Sequence, residues 1–280
     1  MDKNFWELIE EKRPSLTRTA LTIADYISAH PEEAAMASIS TLAASCGVAD
    51  ASLYRFCRQL GFGGYNDMKI SLAQANVSPQ PSAAAIHPGM TTRELIENSR
   101  AGFAAVIADT AARLLPEDID RAAALLRDAE NVYCFGQGGS MMLAGDIWVR
   151  LTTISNKFHI INDNHMQLIS ASLMTPADVL LFVSYSGATL DAMDTLKEAR
   201  RAGARIILIT HHTDAPAAEL ADLALYSGGF ETPLESGSIP VKIGVLYTAD
   251  VLIHRYTLDN YDLAKNARQR TTNALSVKLL

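Results

Sequence analysis

The chain has 280 residues and a formal net charge of −7, and 49% of its residues are hydrophobic while 20% are charged. These proportions are typical of a folded protein of about two domains and exclude a largely disordered chain. None of the three cysteines belongs to a CxxC pair, which fits reduced thiols and argues against a cysteine metal site. The charged N-terminus lacks a signal-peptide core, and no apolar run reaches the length of a membrane span. We therefore expect a cytoplasmic protein that binds neither a membrane nor a metal.

Residues 1–76 are expected to form an all-helical domain. An N-terminal helix is predicted around residues 5–12, and apolar residues at helical spacing predict a second helix that ends at Pro31. A glycine-rich turn at residues 61–64 then leads into a last helix that ends near Asn76.

Two short amphipathic patterns around Gly47 predict a helix-turn-helix. Apolar side chains recur at helical spacing over residues 39–46 and again over 53–60, and Ser38 or Ser40 can cap the first helix. Gly47 can adopt the left-handed conformation that ends this helix. Such a short turn is typical of a helix-turn-helix, whose second helix enters the major groove of DNA. A plain helical hairpin with a solvated polar face is the alternative.

The second helix of this pair turns polar side chains outward, and such groups suit contacts with base edges and phosphates. The end of the helix nearest the bases carries Ser52 and Arg55, the candidates for base contacts, while Arg58 suits a phosphate. The predicted DNA-binding residues are Ser52, Tyr54, Arg55 and Arg58. Residues 1–76 carry seven Lys or Arg against nine Asp or Glu, so tight binding to double-stranded DNA should require a dimer and a specific operator.

The sequence pattern changes after a proline-, serine- and alanine-rich stretch at 77–92, which we interpret as a linker. A long helix is predicted from Arg93 to Leu114, and another begins after Pro116. Near-continuous apolar runs then alternate with helices, as in a parallel sheet covered on both faces. The five runs are 132–135, 158–161, 179–184, 206–210 and 223–226.

The fold class predicted for the whole chain is α/β. An all-helical N-terminal helix-turn-helix domain is joined to a flavodoxin-like, doubly wound, five-stranded parallel sheet that occupies residues 93–280. Folds of this kind bind their ligands at the carboxyl ends of the strands.

Two strand-to-helix turns are rich in glycine and hydroxyl residues. We call residues 136–140 the first anion loop and residues 184–189 the second anion loop. Each offers backbone N–H groups, a helix N-terminus and hydroxyl donors to one anion, most simply a phosphate. A dinucleotide fingerprint would need glycine in place of Met141, and neither a Walker loop nor a nucleophile elbow is present. The hydroxyls are therefore interpreted as ligand-binding groups, and an ordinary tight turn is the alternative.

Together these motifs resemble a known pair of domains. The pattern Gly136-x-Gly138-x-Ser140 with Ser184-x-Ser186-Gly187-x-Thr189 resembles the SIS (sugar isomerase) phosphosugar-binding domain. The sequence from residue 36 to residue 69 resembles the helix-turn-helix domain of RpiR-type transcriptional regulators.

The resemblance implies that the hydroxyls at 140, 184, 186 and 189 hold the phosphate of a sugar phosphate. It also implies that this effector alters operator binding by a homodimer or homotetramer, without a catalytic residue or a cofactor. The predicted ligand-binding residues are Gly136, Gly138, Ser140, Ser184, Ser186, Gly187, Thr189 and Glu235.

The chain departs from the RpiR pattern at the start of the second helix. Family members commonly have Val-Ser before an acidic residue, whereas this chain has Val48, Ala49 and Asp50. The usual serine cap is missing, so we expect Asp50 to cap the helix instead. Tyr54 stands where a small aliphatic residue is usual, which predicts a different operator preference.

SIS domains also occur in aldose–ketose isomerases, so catalysis is the competing hypothesis. Glu235 precedes the last long helix, where such enzymes can place the general base. A carboxylate that hydrogen-bonds sugar hydroxyls is the alternative role for this residue. A dedicated isomerase would have no use for residues 1–76, and we therefore predict a regulator.

Overall fold

The structure, a computed structural model, describes residues 5–75, 89–229 and 238–276. The chain forms two compact units, one of Met1–Gly102 with Phe230–Ser238 and the other of Phe103–Gly229 with Ile239–Leu280. Within the described ranges no helix is both long and apolar enough to cross a membrane. Most of the predicted linker, and Glu235, lie outside the described residues.

Helices make up the N-terminal part of the chain, as predicted. Their bounds are α1 Phe5–Lys12, α2 Arg18–Ala29, α3 Pro31–Met36, α4 Ile39–Ser45, α5 Asp50–Leu60 and α6 Tyr65–Ala75. Pro31 separates two helices because proline is tolerated at the first helical position but not in a helix interior. The sequence pattern predicted the end of α2 and missed the short helix that follows it.

The inward faces of these helices form one apolar core. Phe5 on α1 stacks on Phe62 with ring centroids 6.1 Å apart, and Ile23, Ile27 and Leu53 are fully buried. Each large side chain buried in this way contributes on the order of 2 kcal/mol to folding. The helix-turn-helix therefore rests on a packed support rather than standing alone.

Helix α6 is fixed to the backbone between α3 and α4 by two partly buried polar side chains. The Tyr65 hydroxyl donates to the carbonyls of Ala37 and Ser38, at 3.0 and 3.2 Å, and Lys69 Nζ donates to Ala37 O at 2.8 Å. Burial raises the pKa of Tyr65 and lowers the pKa of Lys69 to about 8. These bonds add donors to the carbonyls of Ala37 and Ser38, where one helix ends and the next begins.

The second unit contains a five-stranded sheet with strand order β2-β1-β3-β4-β5, and every pairing is parallel. This is the flavodoxin-like order, so the predicted fold class is confirmed. The strands fall within one residue of the predicted apolar runs at either end: β1 Asn131–Gly136, β2 Phe158–Ile160, β3 Asp178–Val183, β4 Arg205–Thr210 and β5 Leu223–Tyr226.

Helices cover both faces of this sheet. Successive residues of β3 point to opposite faces: Leu181 packs in the core with α8, α9 and α13, and Phe182 in the core with α10, α11 and α12. The remaining bounds are α7 Thr92–Arg113, α8 Pro116–Asp128, α9 Gly139–Thr152, α10 Asn164–Ser172, α11 Leu190–Ala202, α12 Pro216–Leu220, α13 Ile239–Asp259 and α14 Tyr261–Ser276.

Helix α13 approaches the backbone after β5 very closely. A Cβ atom added at Gly244 would lie 2.0 Å from the carbonyl oxygen of Gly228. One turn further along α13, the Thr248 hydroxyl donates to Tyr226 O at 2.7 Å. Only glycine at 244 permits this contact, which places the long helix directly against the end of the sheet.

Candidate functional site

The two anion loops start side by side. Gly136, the last residue of β1, is paired in register with Val183, the last residue of β3. In the order β2-β1-β3-β4-β5, the chain turns to opposite sides of the sheet after these two strands, which opens a crevice at their carboxyl ends. The fold therefore brings both predicted loops to the position where such sheets bind ligands.

The first anion loop is a tight turn into helix α9. Gly138 has φ 54 and is the N-cap of the helix, and the Ser140 N–H donates to Gln137 O at 3.0 Å. A Cβ at Gly136 would lie 2.7 Å from Ser140 O, so the turn requires glycine there. The loop thus brings the N-terminal end of α9, where the helix dipole favours an anion, to the carboxyl end of β1.

The second anion loop keeps its hydroxyls close to its own backbone. The buried Ser184 accepts the Gly187 N–H at 3.2 Å, and Ser186 accepts the Ala188 N–H at 3.4 Å. Both hydroxyls act as acceptors in these bonds and retain a proton to donate. Thr189 is the N-cap of α11 but makes no side-chain cap bond, so its hydroxyl is also available.

Contacts from β4 and α12 hold the second anion loop in place. The carbonyl of Tyr185 accepts from the His211 N–H at 3.2 Å and the Thr210 hydroxyl at 3.1 Å. The Tyr185 and His211 rings stack with centroids 5.1 Å apart, and Ala217 N–H donates to Gly187 O at 2.9 Å. Burial lowers the pKa of His211, which favours the neutral ring in the folded domain.

Gln167 is a residue of this site that the sequence analysis missed. Its fully buried side chain extends from α10, and Nε2 donates to Gly136 O at 3.1 Å and to Ile161 O at 2.7 Å. The amide therefore ties the ends of β1 and β2 together beneath the first anion loop. Sequence offered no signal for this role, because a glutamine on a short helix is usually solvated.

A cavity of about 270 Å³ lies between the first turns of α10 and α11, next to the second anion loop. Its lining is polar and includes two carboxylates, and Asn164 Nδ2 donates to Asp191 Oδ2 at 3.3 Å. The lining residues are Asn164, His165, Leu168, Asp191, Asp194 and Thr195. Among the described residues, no group of three His, Cys, Asp or Glu side chains is arranged to hold a metal ion.

The predicted helix-turn-helix is formed by α4 and α5. Ser38 caps α4 by accepting the Thr41 N–H at 3.0 Å, and Gly47 has φ 67, as expected for the turn. The prediction that Asp50 caps α5 is wrong. Ala49 is the N-cap and offers no side-chain bond, while Asp50 lies in the first turn and accepts from Ser40 at 2.6 Å.

All four predicted DNA-binding residues lie on α5, away from its buried stripe. Tyr54 is 47% exposed, and Arg55 Nη2 donates to the Ser52 hydroxyl at 3.0 Å. Arg58 Nη1 donates to the carbonyls of Phe62 and Gly63, at 3.2 and 3.1 Å. Ser52 and Arg55 thus form one polar pair near the start of the helix, while Arg58 also closes its C-terminal end.

Comparison with known proteins identifies both parts of the chain. The helix-turn-helix domain of the rpiR family matches residues 3–79, and the SIS domain matches residues 125–249. The transcriptional regulator HexR of Pseudomonas aeruginosa is 31% identical over 80% of this chain and 78% of its own length. The chain belongs to the RpiR family. An uncharacterised HTH-type transcriptional regulator of Haemophilus influenzae is 28% identical, over 93% of this chain and 92% of its own.

A solved structure shares the fold of the chain. The NanR protein of Vibrio vulnificus, solved in complex with ManNAc-6P, superimposes with a TM-score of 0.87 at 23% identity, over 98% of both chains. This likeness shows a common fold. The predicted helix-turn-helix regulator with a SIS domain is confirmed, and the relatives support it over the isomerase alternative.

Proposed function

We propose that this RpiR-family chain binds an operator through α5 and that a sugar phosphate held by the two anion loops sets its operator affinity. The observation that carries the proposal is the register pair Gly136 and Val183, because it brings a glycine-rich and a hydroxyl-rich helix N-terminus to the same end of the sheet. The effector must bind the DNA-competent and DNA-incompetent states with different affinities, since otherwise it could not shift their balance.

Neutral donors would hold the phosphate. Neither loop contains Lys or Arg, so the negative charge would be stabilised by the N-terminal ends of α9 and α11 together with the hydroxyls. Ser140, Ser186 and Thr189 are at least partly exposed toward solvent, and Ser184 lies beneath them. Gly136, Gly138 and Gly187 permit the close backbone approach that such a site requires.

A phosphorylated sugar is the effector class that best fits these features. NanR, which shares the fold, was solved with ManNAc-6P. The polar cavity beside the second anion loop would accept hydroxyl or amide groups of the attached sugar. Glu235, which precedes α13, is a further candidate for contacts with sugar hydroxyls.

The proposed assembly is a homodimer or a homotetramer. The N-terminal 76 residues carry more acidic than basic side chains, so a single α5 would gain little from non-specific attraction to DNA. Two recognition helices on adjacent half-sites would raise the effective affinity without any new contact.

A thermal-shift screen tests the effector. The purified chain is heated with ManNAc-6P, other hexose and pentose phosphates and inorganic phosphate, and a ligand at 100 times its Kd should add about 2.7 kcal/mol of stability. The double variant Ser184→Ala, Ser186→Ala should lose the shift and keep operator binding. Ser276→Ala, on the exposed α14, serves as the matched control and should respond like the wild type.

Two results would overturn the proposal. One is an unchanged shift in the double serine variant, which would place the ligand elsewhere. The other is sustained isomerisation of one of these sugar phosphates, lost on Glu235→Gln, which would establish an enzyme instead.

A further inference from the structure

Gln167 leaves its buried amide oxygen without a partner. Both N–H bonds of its amide are committed, to Gly136 O and Ile161 O, and these two bonds fix the orientation of the amide plane. Within the described parts of the chain, Oε1 is buried and accepts no hydrogen bond. A buried acceptor without a donor is unfavourable, because it has lost its bonds to water.

A second buried polar atom without a partner, this time a donor, lies on the residue that follows Gly136. The side-chain Nε2 of Gln137 is likewise buried and, among the described residues, donates to no acceptor. The structure therefore leaves an unused donor on the residue that follows Gly136 and an unused acceptor on the side chain that bonds the Gly136 carbonyl.

The loop has room to change conformation around Gln137. On its N-terminal side, Gly136 is held by the sheet, by Gln167 and by the close approach to Ser140. On its C-terminal side, a Cβ added at Gly138 or Gly139 would meet no atom within 4 Å. Open space therefore lies directly after Gln137, next to a Gly136 that is held on several sides.

We propose that Gln167 is a positioning residue for effector binding, whose Oε1 accepts the Gln137 amide once a phosphate occupies the first anion loop. This hydrogen bond gives Gln137 Nε2 and Gln167 Oε1 a partner each, and it stabilises the loop only in its phosphate-bound conformation. This inference rests on the proposed phosphate site and names the groups that couple the loop to the domain beneath it.

A double-mutant cycle tests this pairing. The Kd for inorganic phosphate and for glucose 6-phosphate is measured by calorimetry on the full chain with Gln137→Leu, Gln167→Leu and both changes. Each single variant should weaken binding by about tenfold, as expected for loss of a buried hydrogen bond. The double variant should bind no more weakly than Gln167→Leu alone.

The same cycle on the ligand-free protein separates positioning from a structural role. Because the two side chains do not bond each other in the ligand-free protein, their effects on Tm should be additive, and Gln137→Leu should leave Tm nearly unchanged. Gln269→Leu removes an exposed amide on α14 and should alter neither measurement.

Several outcomes would contradict the inference. Additive effects on Kd, or unchanged phosphate binding in Gln137→Leu, would overturn it while leaving the proposed phosphate site intact. Gln137→Leu alone decides the matter if Gln167→Leu does not fold, since residue 137 lies in a loop. Failure of the wild type to bind either probe and every sugar phosphate of the thermal screen would instead overturn the proposed function, and this inference with it.

Discussion

The Ser40 hydroxyl donates to the carboxylate of Asp50 at 2.6 Å, joining the two helices of the helix-turn-helix. The bond lies across the turn at Gly47, between the first turn of α4 and the first turn of α5. Asp50 also carries its negative charge at the N-terminal end of α5, where the helix dipole favours it. A carboxylate that does not cap the helix therefore still fixes its direction relative to α4.

Loss of this bond should destabilise the helix-turn-helix. Ser40→Ala and Asp50→Ala should each lower the free energy of unfolding by about 1–2 kcal/mol, because a hydrogen bond to a charged group is lost. The effects should not be additive in the double variant. Urea denaturation followed by circular dichroism measures them, with Ser15→Ala as an exposed control. Additive effects would show that the bond contributes nothing.

Arg55→Ala should weaken operator binding by about 1–3 kcal/mol, because Arg55 lies on the exposed face of α5 near its start. Fluorescence anisotropy with a labelled operator duplex measures the change, and comparison with a scrambled duplex shows whether specificity is lost. Arg18→Ala removes another exposed arginine, at the start of α2, and should bind as the wild type does. If Arg55→Ala binds the operator as tightly as the wild type does, the assignment of α5 as the recognition helix would be refuted.

Two helical glycines should respond to alanine in opposite directions. Gly244→Ala forces a Cβ to within 2.0 Å of Gly228 O and should destabilise the SIS domain by about 1–3 kcal/mol or more. At Gly145 in α9, the added Cβ would meet only the tip of Ile160, at 3.5 Å. Gly145→Ala should therefore stabilise the protein by about 0.5–1 kcal/mol. Calorimetric melting measures the stability of both variants. If Gly244→Ala and Gly145→Ala change the stability equally, the close contact between α13 and Gly228 O would be refuted.

The thiols should be unreactive in the native protein. Burial raises the pKa of Cys46 to about 11 and those of Cys57 and Cys134 to about 12. At pH 8 they should react with Ellman's reagent at least about a hundredfold more slowly than free cysteine. All three should react promptly in guanidinium chloride. A fast-reacting thiol under native conditions would contradict the burial described for it.

Acid should destabilise the SIS domain through His211. Burial depresses its pKa, so below about pH 6.5 the unfolded chain binds a proton that the folded domain does not. Stability is therefore fully present above that pH and is lost as the pH falls. Melting temperatures between pH 7.5 and 5 should show a shallower pH dependence in His211→Asn. The exposed His165→Asn is the control, and identical profiles for the wild type and His211→Asn would contradict the prediction.

The helices and strands could be predicted from the sequence because they depend on local patterns of residues. Apolar runs located the five strands, and the stripe of Leu53, Phe56 and Leu60 located the inward face of α5. The position of residues 136–140 and 184–189 between strand and helix could be predicted for the same reason, since their glycines and hydroxyls lie next to one another in the chain. Their role in binding an anion stays a prediction.

Contacts between residues that are far apart in the sequence could not be predicted. The bonds from Gln167 to Gly136 and from Tyr65 to Ala37 join residues 31 and 28 positions apart, and no local pattern encodes such a pair. The cap of α5 was mispredicted for a related reason, because the Asp50 carboxylate is committed to Ser40 rather than to its own helix.

The pairing of Gly136 with Val183 also bears on how effector preference could diversify. It is formed by main-chain hydrogen bonds between parallel strands, so its geometry does not depend on which side chains follow. Ala188, whose side chain is not part of the contacts described for the loop, can change without repacking the sheet. Exchange of residues 184–189 for those of another RpiR-type protein should therefore yield a folded sensor with altered chemical selectivity, which makes this short segment a practical target for engineering new inducible promoters.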